Sequence, residues 1–464
     1  LASGREAKAN GYQAKATGDY STAIGSRSEA SGEKATALGH SAKATGFGSL
    51  AEGAEALASG VEAKANGYQA KATGDYSTAI GSRSEASGEK ATALGHSAKA
   101  TGFGSLAEGA EALASGVEAK ANGYQAKATG DYSTAIGSRS EAAGKYGVTL
   151  GYEAKVTSQA AHGIAIGGPY EDGSRKQRTE VNGERGIAIG SGAIAGQDGV
   201  AIGTLSKANQ GGVAVGDQSM ALGQDSTAVG KASISAGKRA KTDGYGNQAW
   251  GDDSTAIGSS NYVGDQNNQG ESTERSVAVG YRNRVLAREA GAFGSNNVVQ
   301  IGADRSFVVG TGAVVEAPDA VAIGSGSIAS EARTVSVGAP GLERRITNVA
   351  DGILPTDATN LRQLRDVEQR LEERIMRTNG ELDDLRSDAF GGIAAVAAVN
   401  AAPSSLPEGA TVGIGVGFAT FGGRSAGGLS ATWRPAPFMS VSTGVGVSGN
   451  KAPTLFRIGM ALAF

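Results

Sequence analysis

The sequence predicts a mainly β chain with one coiled coil, and three observations point there. Glycine returns every seven residues through the first third, large apolar residues keep a heptad after Leu361, and Glu408–Phe464 alternates apolar with small residues. Composition agrees. A chain of 464 residues with 74 Gly, 5% aromatic residues and no Cys has too few large side chains for a thick globular interior, which argues against an enzyme.

The repeat comes first. Leu1-Ala2-Ser3-Gly4 returns as Leu57-Ala58-Ser59-Gly60 and as Leu113-Ala114-Ser115-Gly116, so a 56-residue unit recurs almost unchanged. Inside it Gly4, Gly11, Gly18, Gly25 and Gly32 set a finer period of seven. A coiled coil needs large apolar residues at a and d, and a glycine in every second helical turn costs about 1 kcal/mol each time. In Gly18-Asp19-Tyr20-Ser21-Thr22-Ala23-Ile24-Gly25 the small residues Ser21 and Ala23 instead keep a strand spacing, and glycine marks a turn. Two such units make one rung, and stacked rungs predict a β-solenoid with a thin core of Ala, Ile and Leu. The pattern runs on through Ile164-Ala165-Ile166-Gly167 to Val321-Ala322-Ile323-Gly324, giving a head over residues 1–338. The polar stretches 169–185 and 259–275 are expected to leave the rungs as surface loops.

Residues 339–363 form a neck containing Arg344-Arg345-Ile346-Thr347-Asn348-Val349. With Leu361 as a, the a positions are Leu361, Glu368, Ile375 and Leu382, and the d positions are Leu364, Leu371, Thr378 and Leu385. Six of the eight are large and apolar, which predicts a coiled-coil stalk over 364–388 with those six as its core. The register continues through Ala389, Gly392, Val396 and Val399 with shrinking side chains, as if the helices entered a confined space. Residues 389–407 are therefore read as a helix and linker within the lumen of a barrel.

That barrel is the anchor, 408–464. Val412, Ile414, Val416 and Phe418 share one strand face; Leu429, Ala431 and Trp433 share the next; Met439, Val441, Val445 and Val447 follow; Phe456, Ile458, Met460, Leu462 and Phe464 complete the set. Each run is about as long as a membrane-spanning strand, roughly 9 to 11 residues. Four strands cannot close, and an open edge is not tolerated in hydrocarbon. Partners must be recruited: two copies reach the usual minimum of about eight strands and three give a roomier barrel. The opposite face is nearly all Gly, Ala, Ser and Thr, which leaves space inside.

In this order, glycine-rich head repeats, an Arg-Arg-Ile-Thr-Asn-Val neck, a short coiled coil, Gly391-Gly392-Ile393-Ala394-Ala395-Val396 and four terminal strands ending in Phe464, the chain resembles the YadA-like trimeric autotransporter adhesins of Gram-negative outer membranes. The resemblance covers essentially the whole chain. It implies a homotrimer with left-handed parallel β-roll heads and a trimeric stalk. It also implies a transmembrane barrel of twelve strands, four from each of three chains, through which the passenger was exported (type V secretion). Gly392 matches the small helix residue beside the barrel wall. Family heads bind matrix proteins through Asn-Ser-Val-Ala-Ile-Gly-x-x-Ser repeats, whose nearest matches here are 21–28, 77–84, 133–140 and 276–283, each without the leading Asn. The implied ligand-contacting residues are Ser21, Ala23, Ile24, Gly25, Ser77, Ile80, Ser133, Ile136, Val277 and Val279.

The function expected is multivalent attachment to extracellular matrix or a host cell receptor from the cell surface; the alternative is self-association of the kind that builds biofilm. Outer-membrane lipid and the barrel assembly machinery are the other expected partners. The net charge of −3 predicts no attraction for nucleic acid. No cofactor, metal or catalytic residue is expected. His40, His96 and His162 have no Cys beside them. Gly168 to Gly173 has Walker-like spacing, but Ser174-Arg175-Lys176 follows in place of Lys-Ser or Lys-Thr. No Ser, His and acidic set is ordered as nucleophile, base and orienting group. Absence of Cys suits passage through an oxidising periplasm. No leader precedes Leu1, which lies inside a repeat, so the sequence reads as a mature or truncated fragment.

Overall fold

A computed structural model describes residues 1–266, 273–401, 405–449 and 454–463, in two compact units that divide between Arg344 and Arg345. Rungs of the first unit alternate a strand of three residues, or five in later rungs such as Thr255–Ser259, with a two-residue strand, as in Thr22–Ile24 and then Glu29–Ala30. In the near-identical copies each pairs in parallel with its counterpart a step of 14 residues along: Lys8 with Thr22, Lys15 with Glu29. The longer strands build one sheet of 23 strands, and the two-residue strands build the sheet opposite.

The interior is narrower than the sequence suggests. Ala16, Ala23, Ala30, Ser21 and Ser28 are fully buried, whereas Ile24 is 44% exposed and Leu38 is half-buried. The expected core of Ala, Ile and Leu is thus corrected to Ala and Ser, joined in later rungs by Val156, Val181, Val263 and Val299. Alternation explains it: when the middle residue of a three-residue strand points inward, both neighbours point outward.

Glycine is demanded by the approach of one rung to the next. A Cβ on Gly32 would lie 2.0 Å from the carbonyl oxygen of Gly46, and one on Gly88 would lie 2.1 Å from that of Gly102. Two residues after each such glycine, an ordinary residue adopts left-handed backbone, as at Tyr20 (φ 60°) and Lys34 (φ 57°). That conformation costs about 1 to 3 kcal/mol. An inter-rung bond offsets the cost, since the Lys34 N–H donates to the Asp19 carbonyl at 2.8 Å. The next residue is small and buried; at Ser49 its hydroxyl donates back to the Gly46 carbonyl at 2.8 Å, whereas the buried Ser21 and Ser133 hydroxyls make no such bond.

Both polar stretches prove shorter as insertions than 169–185 and 259–275. Ile164 pairs with Ile187, but Glu180–Val181 already pairs with Lys155–Val156 and Val181 is fully buried, so only the segment before it leaves the stack. That segment carries its own antiparallel hairpin, Tyr170–Glu171 against Lys176–Gln177. In the second stretch Asn261, Val263 and Thr273 are buried within rungs, and residues 267–272 lie outside the described residues. Around it the buried Ser position of earlier rungs becomes Asn. Nδ2 of Asn261, Asn283 and Asn297 donates to Oδ1 of Asn247, Asn261 and Asn283 at 3.1, 3.0 and 3.0 Å. Arg344 closes the stack by donating to Ser327 Oγ and the Val337 carbonyl at 2.9 and 2.7 Å.

In the second unit one helix, Leu361–Ala401, runs for 41 residues. Asn360 and Gln363 start it as a reciprocal cap: the Gln363 N–H donates to Asn360 Oδ1 at 3.0 Å, and the Asn360 N–H donates to Gln363 Oε1 at 3.3 Å. The strands Val412–Phe421, Arg424–Ala436, Met439–Ser448 and Leu455–Leu462 form an antiparallel sheet in chain order.

Candidate functional site

Three surfaces of the chain offer themselves for binding. The first is the outer face of the larger head sheet. Register stacks the third residues of successive strands, so Ile136, Leu150, Ile166, Ile189, Ile202 and Val215 form one apolar column. In the near-identical copies the column is broken by a polar pair, Asn66 donating to Glu52 at 2.9 Å and Asn122 to Glu108 at 2.8 Å. Of the residues implied by resemblance, Ile24, Ile80 and Ile136 stand on this face, and Val277 and Val279 are half-buried there. Ser21, Ala23, Ser77 and Ser133 are fully buried and cannot touch a ligand, which corrects their assignment. Gly25 occupies a turn at left-handed φ.

The second surface is the hairpin and the rung beneath it. Glu153, at a left-handed turn position, is only 4% exposed. Lys176 Nζ lies 2.8 Å from its carboxylate, Arg139 Nη1 3.5 Å and Arg178 Nε 3.7 Å. The hydrogen bond from Lys176 holds the Glu153 carboxyl below its ordinary range against the opposing effect of desolvation. Lys176 is held above its ordinary range by the bonds to Glu153 and then Glu171. Arg139 Nη1 also donates to Tyr152 Oη at 3.2 Å. In the two earlier copies Ser41 and Ser97 occupy the place of Glu153, so the exchange of serine for glutamate where the repeats end was the available sequence signal.

The third surface belongs to the C-terminal unit. Leu361, Leu364, Leu371, Ile375, Leu382 and Leu385 all stand exposed on the single chain. Farther along, the helix has two faces. Gly391, Ala394, Ala395, Ala398 and Val399 are buried, and a Cβ on Gly428 or Gly446 would lie 2.6 Å from the backbone of Ala398 or Ala395. Only glycine permits this approach of helix to sheet. Gly392 points elsewhere, since a Cβ there would meet nothing within 4 Å. The other sheet face carries Val412, Ile414, Val416, Phe418, Trp433, Phe456, Ile458, Met460 and Leu462, all exposed; Phe464 lies outside the described residues.

Residues 345–385 match the family model described as the coiled stalk of trimeric autotransporter adhesin. The YadA head domain repeat matches 2–28, 30–56, 58–84, 86–112, 114–140, 214–240, 244–261, 302–327 and 316–339. Together the matches take in more than half of the chain. Among solved structures, the collagen-binding domain of the Yersinia adhesin YadA is 22% identical, with the match covering 64% of this chain and 85% of that one at a TM-score of 0.12.

Proposed function

Because this chain belongs to the YadA-like trimeric autotransporter adhesins, we propose that three copies display a multivalent head that attaches a cell to extracellular matrix or to another cell's receptors. The terminal strands, four from each copy, close a twelve-stranded barrel in the outer membrane that anchors the head and served as its export path. The observation that carries this reading is the two-sided terminal sheet. Its outward face is apolar enough for lipid, and its glycine face is small enough to admit a helix against it. A four-stranded sheet with free edges is incomplete in hydrocarbon, and copies of itself complete it. Held on one stalk, three identical heads multiply weak contacts, and avidity rises by about 10² to 10⁴ where the ligand presents spaced sites.

Plate assays with cells displaying the full chain test the reading on collagen, fibronectin, laminin and cultured cell layers. Attachment that disappears on deletion of residues 1–338 is expected. Clumping of the expressing cells with no attachment to any surface would replace it with self-association.

A further inference from the structure

We propose that the hairpin at 170–177 and the rung beneath it form a binding site for sulfated polysaccharide chains of the glycosaminoglycan kind. The inference rests on the adhesive reading above and names a partner for it. Four cations gather here: Arg139 on the rung and Arg175, Lys176 and Arg178 on the insertion. Side chains of Arg139, Lys176 and Arg178 are about half exposed, at 50, 45 and 49%, and Arg175 stands exposed at the hairpin tip.

Three acids stand nearby and offset part of this charge, mainly at Lys176, while each is held by its own partner. Glu153 lies beneath the cations and is nearly inaccessible. Glu171 is engaged by Lys176 at 2.9 Å. Asp172 is turned into the hairpin, its Oδ1 accepting the N–H groups of Ser174 and Arg175 at 3.3 and 2.9 Å. The buried carboxylate therefore gathers cations whose side chains stay partly exposed, the guanidinium groups of Arg139 and Arg178 among them.

The cluster is also held in place. Thr179 Oγ1 lies 2.8 and 2.6 Å from the carbonyl oxygens of Gly168 and Gly190, donating its one proton to either, and Ser191 Oγ donates to the Pro169 carbonyl at 2.9 Å, tying both ends of the insertion to the stack. Cations fixed before binding lose less freedom when they bind. Guanidinium forks suit oxyanions such as sulfate, with paired, charge-assisted hydrogen bonds. Beside them the Tyr152 ring is 43% exposed, with Lys176 Nζ 5.8 Å from its centre, and offers a flat apolar face to a sugar ring. A flexible single polysaccharide can follow one hairpin. Duplex nucleic acid draws on a broader basic face, which a chain of net charge −3 does not predict.

The test uses the full chain purified in detergent, with binding to immobilised heparin, to desulfated heparin and to duplex DNA measured across a salt series. Heparin binding that weakens with salt and is lost on desulfation is expected. Arg175→Ala with Arg178→Ala should weaken it at least about tenfold without lowering the melting temperature. If that double variant melts early, Arg175→Glu alone decides, because Arg175 stands exposed at the hairpin tip and its reversal should still weaken binding at least about tenfold. Absence of heparin binding by the unaltered chain, binding unchanged in the double alanine variant, or equal binding of desulfated heparin or DNA would each overturn the site. Attachment to matrix proteins and cell layers is scored in parallel, so that loss of the heparin result alone leaves the adhesive reading standing.

Discussion

In the head, a backbone N–H in one rung finds its acceptor in the next rung of the same chain, and the small side chains between the sheets are fully buried. In residues 345–464 the heptad leucines stand exposed and the terminal sheet ends in two unpaired edges. The first region completes its interior within one molecule; the second leaves apolar surfaces that its own described residues do not cover. The difference traces to residue size. Glycine and alanine let rungs stack at strand spacing around a filled interior, with larger residues such as Ile24 and Leu150 left on the outer face, whereas leucine and isoleucine at heptad positions stay exposed among the described residues.

The strongest way to break the contrast is to spoil the stacking. Gly88 has ordinary backbone, and a Cβ there would lie 2.1 Å from the Gly102 carbonyl oxygen and 2.9 Å from that of Thr101, so Gly88→Val should destabilise the head by more than about 4 kcal/mol. Thermal melting followed by circular dichroism checks this, and an unchanged melt would mean that rungs tolerate side chains between them. A smaller effect belongs to the asparagine ladder. Asn283→Ala removes the acceptor used by Asn297 and should cost about 1 to 3 kcal/mol, seen as faster amide exchange confined to rungs between 255 and 313. Exchange spread evenly along the head would argue that the rungs unfold together.

The smallest expected effect is on acidity. Glu153 sits below its ordinary value of 4.5, with the Lys176 bond as the largest cause. A depressed carboxyl stabilises the fold above its unfolded value, and the contribution is lost as pH falls through the lower folded value. Hairpin contacts should thus be complete above about pH 4.5 and loosen below it, while Glu153→Gln should show looser contacts already at neutral pH. Protease cleavage at the hairpin tip against pH measures both.

Much of this was legible in the residues. The seven-residue glycine spacing gave the turns and the rung, the heptad from Leu361 gave the helix, and strict alternation gave all four terminal strands. What alternation does not say is which residue in a strand of three points inward, so isoleucine and leucine belong to the expected core, which Ala23 and Ser21 fill instead. Nor does a heptad say which helix face meets a sheet. It marks Gly392 on the seam, while the residues against the glycine face of the sheet are Ala395 and Ala398. The glutamate under the hairpin was hidden for a different reason: its partners Lys176 and Arg178 come near only after the insertion folds back on the stack.

The central claim is that the second region is finished by copies of itself, as membership of a trimeric family implies. Mass measurement of the full chain in mild detergent tests it most directly, beside a variant carrying Leu371→Asp and Ile375→Asp. Three chains per particle are predicted for the unaltered protein and fewer for the variant; a monomer or dimer in the unaltered protein would contradict the account.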